Sequence, residues 1–144
     1  MGTQPIRIAI LDMYDGAPNI GMQCIRNIIQ EWTEKNQVTT DVNVFNSRGN
    51  CEIPSDQFDL YISTGGPGSP IESKDAKWDQ LYTQWLENML ALNKPVFLIC
   101  HSFQIACRHF ELGTVCLRKS RQIGVLPVHT LIEDDLFNGL QETF

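Results

Sequence analysis

Four short apolar runs punctuate this sequence, and most are separated by stretches with helical spacing; that alternation narrows the fold more than any other feature. Ile6 to Leu11 is nearly continuous in β-branched and apolar residues, as in a strand buried on both faces of a parallel sheet. It closes on Asp15-Gly16-Ala17-Pro18-Asn19. Ile20, Cys24, Ile25, Ile28, Ile29 and Trp32 then recur at helical spacing up to Asn36, which predicts a helix laying that apolar stripe on the sheet. Thr40 to Phe45 alternates as a second strand. Asn46 to Phe58 reads as a connection, and Leu60 to Ser63 as a third strand ending on Thr64-Gly65-Gly66-Pro67-Gly68-Ser69-Pro70. Trp78, Leu81, Tyr82, Trp85, Leu86, Met89 and Leu90 mark a second helix, Val96 to Ile99 a fourth strand, and Ser102 to Phe110 a third helix. Further on, Val115 to Leu117 and Ile123 to Leu131 read as extended, and Asp134 to Leu140 as a closing helical turn.

Strands alternating with helices predict a doubly wound α/β fold around a mostly parallel sheet with right-handed crossovers. Its 144 residues, without repeat or linker, are expected to form one domain. Ligands of such sheets bind beyond the carboxyl ends of the strands. Both Gly65-Gly66-Pro67-Gly68 and Cys100 fall at that edge.

Eleven Lys plus Arg against seventeen Asp plus Glu give a net charge of -6, which argues against nucleic acid as a partner. The longest apolar runs are far short of the roughly 20 residues of a membrane helix, so no membrane role is expected. Cys24, Cys51, Cys100, Cys107 and Cys116 form an odd set without a C-x-x-C pair, and no secretory leader precedes them. A reduced, cytoplasmic setting is the expectation. Cys24 and Cys107 read as helix packing, and Cys51 and Cys116 have no metal-ligand spacing around them.

Cys100 differs from the other four. It stands where Pro95-Val96-Phe97-Leu98-Ile99 turns abruptly into the helical run from His101, so its thiol is held at a helix N-terminus, where free N–H groups and the helix dipole favour negative charge. A sulfur attacking an amide or ester carbonyl creates an oxyanion, which needs N–H donors fixed in advance. Glycines in Gly65-Gly66-Pro67-Gly68 permit close approach, and Pro67 stiffens the turn, so the Gly66 and His101 amides are the expected pair of donors. The loop lacks the Lys-Ser/Thr of a phosphate-binding P-loop and the G-x-G-x-x-G of a dinucleotide site.

These two segments resemble the class I glutamine amidotransferases, of the GMP synthase glutaminase type. Ile62-Ser63-Thr64-Gly65-Gly66-Pro67-Gly68-Ser69-Pro70 is similar to that family's oxyanion strand and loop, and Leu98-Ile99-Cys100-His101-Ser102-Phe103-Gln104 to its nucleophile elbow. Weaker similarity continues through Glu111 to Val115, Gln122 to Val128 and Asp135 to Leu140. The resemblance implies a flavodoxin-like three-layer fold and a glutaminase needing neither cofactor nor metal. It makes Cys100 the nucleophile of a γ-glutamyl thioester, Gly66 and His101 the oxyanion hole, and Gly65 and Gln104 part of the glutamine pocket. It also implies a synthetase domain or subunit that accepts the ammonia.

The chain departs from that pattern in three places. Leu98 and Ser102 stand where the family usually has glycine, and no His-x-Glu follows Asn138-Gly139-Leu140, so the domain is expected to be incomplete at its C-terminus. An open sheet edge would then admit a homodimer. Two other readings stay open. Cys100-His101 is similar to the elbow of PfpI and DJ-1-like hydrolases or oxidation sensors, where the adjacent histidine acts as base, and the missing His-x-Glu fits a non-catalytic interaction module. His109 and His129 read as structural, Asp12 and Asp15 as caps of the first helix, Glu133-Asp134-Asp135 as a solvated helix start, and Trp78 and Trp85 as core stripe.

Overall fold

The structure, a computed structural model, describes residues 4–117 and the isolated positions 119, 127, 129, 132, 134, 135 and 138. Four strands, β1 (Ile6–Asp12), β2 (Thr40–Asn46), β3 (Leu60–Ser63) and β4 (Val96–Leu98), pair in parallel in the order β2-β1-β3-β4. Three helices accompany them: α1 (Ile20–Asn36), α2 (Lys77–Ala91) and α3 (His101–His109). The chain steps from β1 to β2 in one direction and then reverses to β3 and β4. A right-handed rule for crossovers requires the connecting elements to change faces at that reversal. They do: Ile29 of α1 packs with Ile8, Ile10 and Ile62, whereas α2 and α3 pack on Ala9, Leu11 and Tyr61. The result is the expected three-layer, doubly wound α/β fold.

Each element follows from local chemistry. Ile8 to Leu11 are at most 2% exposed, as continuous apolar sequence in a central parallel strand requires. Asn19 starts α1, its side chain accepting from the Met22 amide at 2.7 Å, and Gln37 ends it in the left-handed region at φ 54°. Asp12 and Asp15 therefore do not cap α1. The Asp12 carboxylate instead accepts from the Tyr14 and Gly16 amides at 2.8 and 3.0 Å, folding the β1 exit on itself.

The predicted α1 stripe needs a second correction. Met22, Ile25 and Ile29 face the sheet, while Ile20, Cys24, Ile28 and Trp32 lie exposed on another ridge. Both rows are apolar at a spacing near four, and only the first coincides with Ile8, Ile10 and Ile62. Val115 to Leu117 forms no strand, and Ile123 to Leu131 and Asp134 to Leu140 lie largely outside the described residues. Among the described residues no helix is long and apolar enough to cross a membrane.

Candidate functional site at the elbow

Three strand ends converge at the carboxyl edge of the sheet: β1 running into Met13, β3 into Thr64-Gly65-Gly66, and β4 into Ile99-Cys100. The switch point of the topology lies between β1 and β3, where ligands of such sheets bind.

Cys100 is exposed and sits at φ 51°, ψ -100°, immediately before α3. A non-glycine residue there is strained by roughly 1–3 kcal/mol, a conformation that persists only where its surroundings enforce it. The turn is thus as sharp as a nucleophile elbow needs, despite Leu98 two residues earlier. Leu98 is accommodated because its side chain packs into the α2/α3 core rather than under the turn.

Gly65 adjoins the thiol. A Cβ placed on Gly65 would lie 3.5 Å from the Cys100 Cβ and 3.2 Å from the Tyr14 hydroxyl, so any side chain there would enter the space beside the sulfur. Gly66 is constrained by backbone, since its Cβ would come within 2.5 Å of the Met13 carbonyl oxygen. Only glycine allows that approach. Among the described residues no hydrogen bond engages the amides of Gly65, Gly66 or His101.

Ser102 explains how the elbow helix docks without a glycine at this position. It is fully buried, and its hydroxyl donates to the Thr64 carbonyl at 2.5 Å. With that proton committed, Ser63 must donate to the Ser102 oxygen across 2.7 Å, and Ser63 in turn accepts from Tyr82 at 2.8 Å. One directed chain of hydroxyls, Tyr82 to Ser63 to Ser102 to Thr64, ties α2, β3 and α3 together directly beneath the glycine turn. Burial pushes the Tyr82 phenol up to about 12, keeping it protonated and donating. Thr64 extends the join to β1, accepting from the Met13 amide and donating to the Gly65 carbonyl, each at 2.9 Å.

A second buried unit anchors the far side of the loop. Asp79, 1% exposed, receives Arg108 in a two-pronged pair with contacts of 2.5 and 3.1 Å, and accepts from Ser73 at 2.6 Å. Arg108 also donates to the Pro70 carbonyl. A buried carboxylate that accepts three hydrogen bonds, two from a guanidinium and one from a hydroxyl, is well compensated.

The structure divides the sequence-predicted residues into two groups. It brings Gly65, Gly66, Cys100 and the His101 amide together, and it places Gln104 in a neighbouring cleft of about 490 Å³ between Gly68-Ser69-Pro70, Phe103 and Cys107 on one side and Gly113 to Leu117 on the other. The His101 ring is buried beside Trp78. It is 2% exposed, lies 6.3 Å from the Trp78 ring, and among the described residues its Nε2 has no hydrogen-bond partner. Burial first, then the charge of Arg48, holds its pKa below the ordinary histidine value. His109 pairs with Glu87 at 2.8 Å, as a structural histidine does. Tyr82, Asp79, Arg108 and Arg48 carry the site's framework yet belong to no short motif; Ser63 lies in the glycine-loop motif but nothing there marks its role, and only the odd hydroxyl at position 102 of the elbow signals the framework in the sequence. Among the described residues no cluster of His, Cys, Asp and Glu has the arrangement of a metal site.

No protein-family model and no curated protein matches this sequence. Solved structures do. A glutamine amidotransferase from Thermotoga maritima is similar over 99% of this chain with a TM-score of 0.75 and 16% sequence identity, and the chain spans 59% of the length of that structure. The architecture built around Cys100 is therefore one that a solved glutamine amidotransferase shares.

Proposed function

We propose that this chain is a glutamine amidotransferase-type glutaminase domain in which Cys100 opens the side-chain amide of glutamine. One observation carries the reading: an exposed cysteine at positive φ before a helix, with Gly65 packed against it and, among the described residues, no hydrogen bond on the amides of Gly65, Gly66 and His101. The sulfur adds to the amide carbon, and the oxygen takes up negative charge beside the Gly66 and His101 N–H groups, where such charge is stabilised without reorganisation. Collapse breaks the C–N bond, the nitrogen leaves as ammonia with the thiol's proton, and a γ-glutamyl thioester remains on Cys100. Water then cleaves the C–S bond, giving glutamate and the free thiol.

Gln104 and the adjoining cleft hold the amino-acid end of glutamine in this reading. The ammonia goes to an acceptor on a synthetase domain or subunit, of the kind found in GMP synthase. In this reading the His101 ring, buried beside Trp78, is not the base that deprotonates Cys100. That same burial weighs against a hydrolase of the DJ-1 kind, which would use this ring as base.

The test is alkylation by a glutamine-like diazoketone together with ammonia release from glutamine. Label on Cys100 alone, and a fall in ammonia release of more than ~10³-fold in Cys100→Ala, are expected for a nucleophile. Label on Cys107 or Cys116, or equal release by the two proteins, overturns the assignment.

A further inference from the structure

Arg48 lies outside every motif, on the connection after β2, yet it reaches the glycine turn. Its guanidinium donates to the Pro67 carbonyl, stands 3.3 Å from where a Cβ on Gly68 would be, and lies over the Trp78 ring at 5.3 Å. The segment that presents it is itself pinned. Ser47 is fully buried with its amide on the Asp12 carbonyl at 3.2 Å, and the Gly49 amide donates to the Asn46 side chain at 2.8 Å.

The turn needs such a partner. Among the described residues no backbone–backbone hydrogen bond is made by Gly65, Gly66, Pro67 or Gly68. Gly68 occupies φ +93°, and each of the three glycines in the run loses more conformational freedom on ordering than any other residue would. Its carbonyls are held from outside, by the Thr64 hydroxyl on Gly65, Arg48 on Pro67 and Arg108 just beyond on Pro70. Arg108 is committed to Asp79. Arg48 makes no ion pair among the described residues, so its charge and its fork are spent on the turn and on Trp78.

We propose that Arg48 is a positioning residue that fixes the Gly65–Gly68 turn, so that its amides are already in place when charge forms on the substrate oxygen beside Cys100. The inference rests on the glutaminase reading for its catalytic consequence only. Donors preorganised in this way act in the transition state rather than in ground-state binding, so their loosening lowers kcat and leaves KM nearly unchanged. Arg48 is half-buried, and Trp78 can pack equally against a methionine stem, so the fold should survive its replacement.

The experiment compares wild type, Arg48→Met and Arg48→Lys by amide nitrogen relaxation and by glutamine hydrolysis. In Arg48→Met the order parameters of the Gly65, Gly66, Gly68 and Ser69 amides should fall from about 0.85 toward about 0.6 while those of Ile8 to Leu11 do not change, and kcat should fall on the order of 10- to 100-fold with KM within about threefold. Arg48→Lys, which can still donate to the Pro67 carbonyl, should recover part of both. Unchanged order parameters at the turn overturn the proposal, as does a looser turn with unchanged kcat, or a rise in KM alone. If the wild type releases no ammonia from glutamine, the glutaminase reading fails instead, and the order parameters of the turn alone decide the clamp.

Discussion

The two faces of the sheet are built to different standards. On the α2/α3 face, Tyr61, Tyr82, Trp85, Leu86, Met89 and Ile105 are at most 4% exposed, and the rings of Phe45, Phe58, Tyr61, Trp85 and Tyr82 follow one another at centroid separations of 5.5–6.0 Å. The α1 face is thin. Its core is Ile8, Ile10, Ile29 and Ile62, while Ile20, Ile28, Trp32 and Phe97 stand 77%, 64%, 46% and 57% exposed. The hydroxyl chain and the Asp79–Arg108 pair, which shape the site, belong to the better packed face. A strained residue such as Cys100 requires rigid surroundings, and only one side of the sheet supplies them.

Removing mass from the rigid face should cost most. Trp85→Ala is expected to destabilise by about 3–5 kcal/mol in urea unfolding, as burial of a large ring implies. A loss below about 1 kcal/mol would mean that the α2/α3 face is loosely packed, and the contrast would fail at its stronger side.

Alkaline pH tests the same face through its buried phenol. With the Tyr82 pKa raised from 10.0 to about 12, the unfolded chain releases this proton first as pH rises. The phenol's contribution is therefore full below pH 10 and is lost between pH 10 and pH 12, by about 1.4 kcal/mol per unit and about 3 kcal/mol in all. Urea midpoints at pH 9, 10.5 and 11.5 should fall accordingly, and Tyr82→Phe should flatten the fall. An equal slope in both proteins would place the titration elsewhere.

Ser102→Ala should come next, at about 1–3 kcal/mol, because Ser63 is left with a buried proton and no acceptor. Ser102→Gly should cost as much or more, since the chain from Tyr82 has been built around a hydroxyl. If Ser102→Gly is neutral, that chain adds nothing to the docking of α3, and amide exchange in His101 to Ile105 should confirm it by staying unchanged.

The sequence made the order of elements and the sharp turn at Cys100 readable for one reason: both are local. β-branched runs and helical spacing placed all seven described elements to within about two residues, and Cys100 with Gly65-Gly66 sits in contiguous motifs. What escaped was long-range. Arg48 meets Pro67 across 19 residues, Arg108 meets Asp79 across 29, and Ser102 meets Thr64 across 38, so no spacing rule connects them. The face of α1 escaped for another reason. Two apolar rows run along one helix, and periodicity finds the rows without choosing between them.

That ambiguity gives the smallest and most diagnostic prediction. Ile28, 64% exposed on the outer row, loses little apolar contact when replaced, and glutamine is at least as good a helix former as isoleucine. Ile28→Gln should therefore shift stability by no more than about 0.5 kcal/mol in the same urea assay, whereas Ile29→Ala, one residue along, should cost about 2–5 kcal/mol. The pair differs by 100° around the helix and by little else. A cost above about 1 kcal/mol for Ile28→Gln would show that the outer row is covered in solution, and sedimentation across a concentration series would then separate pairing of two copies from a contact within one chain. In that case the thinness of the α1 face would belong to the isolated chain and not to the protein at working concentration.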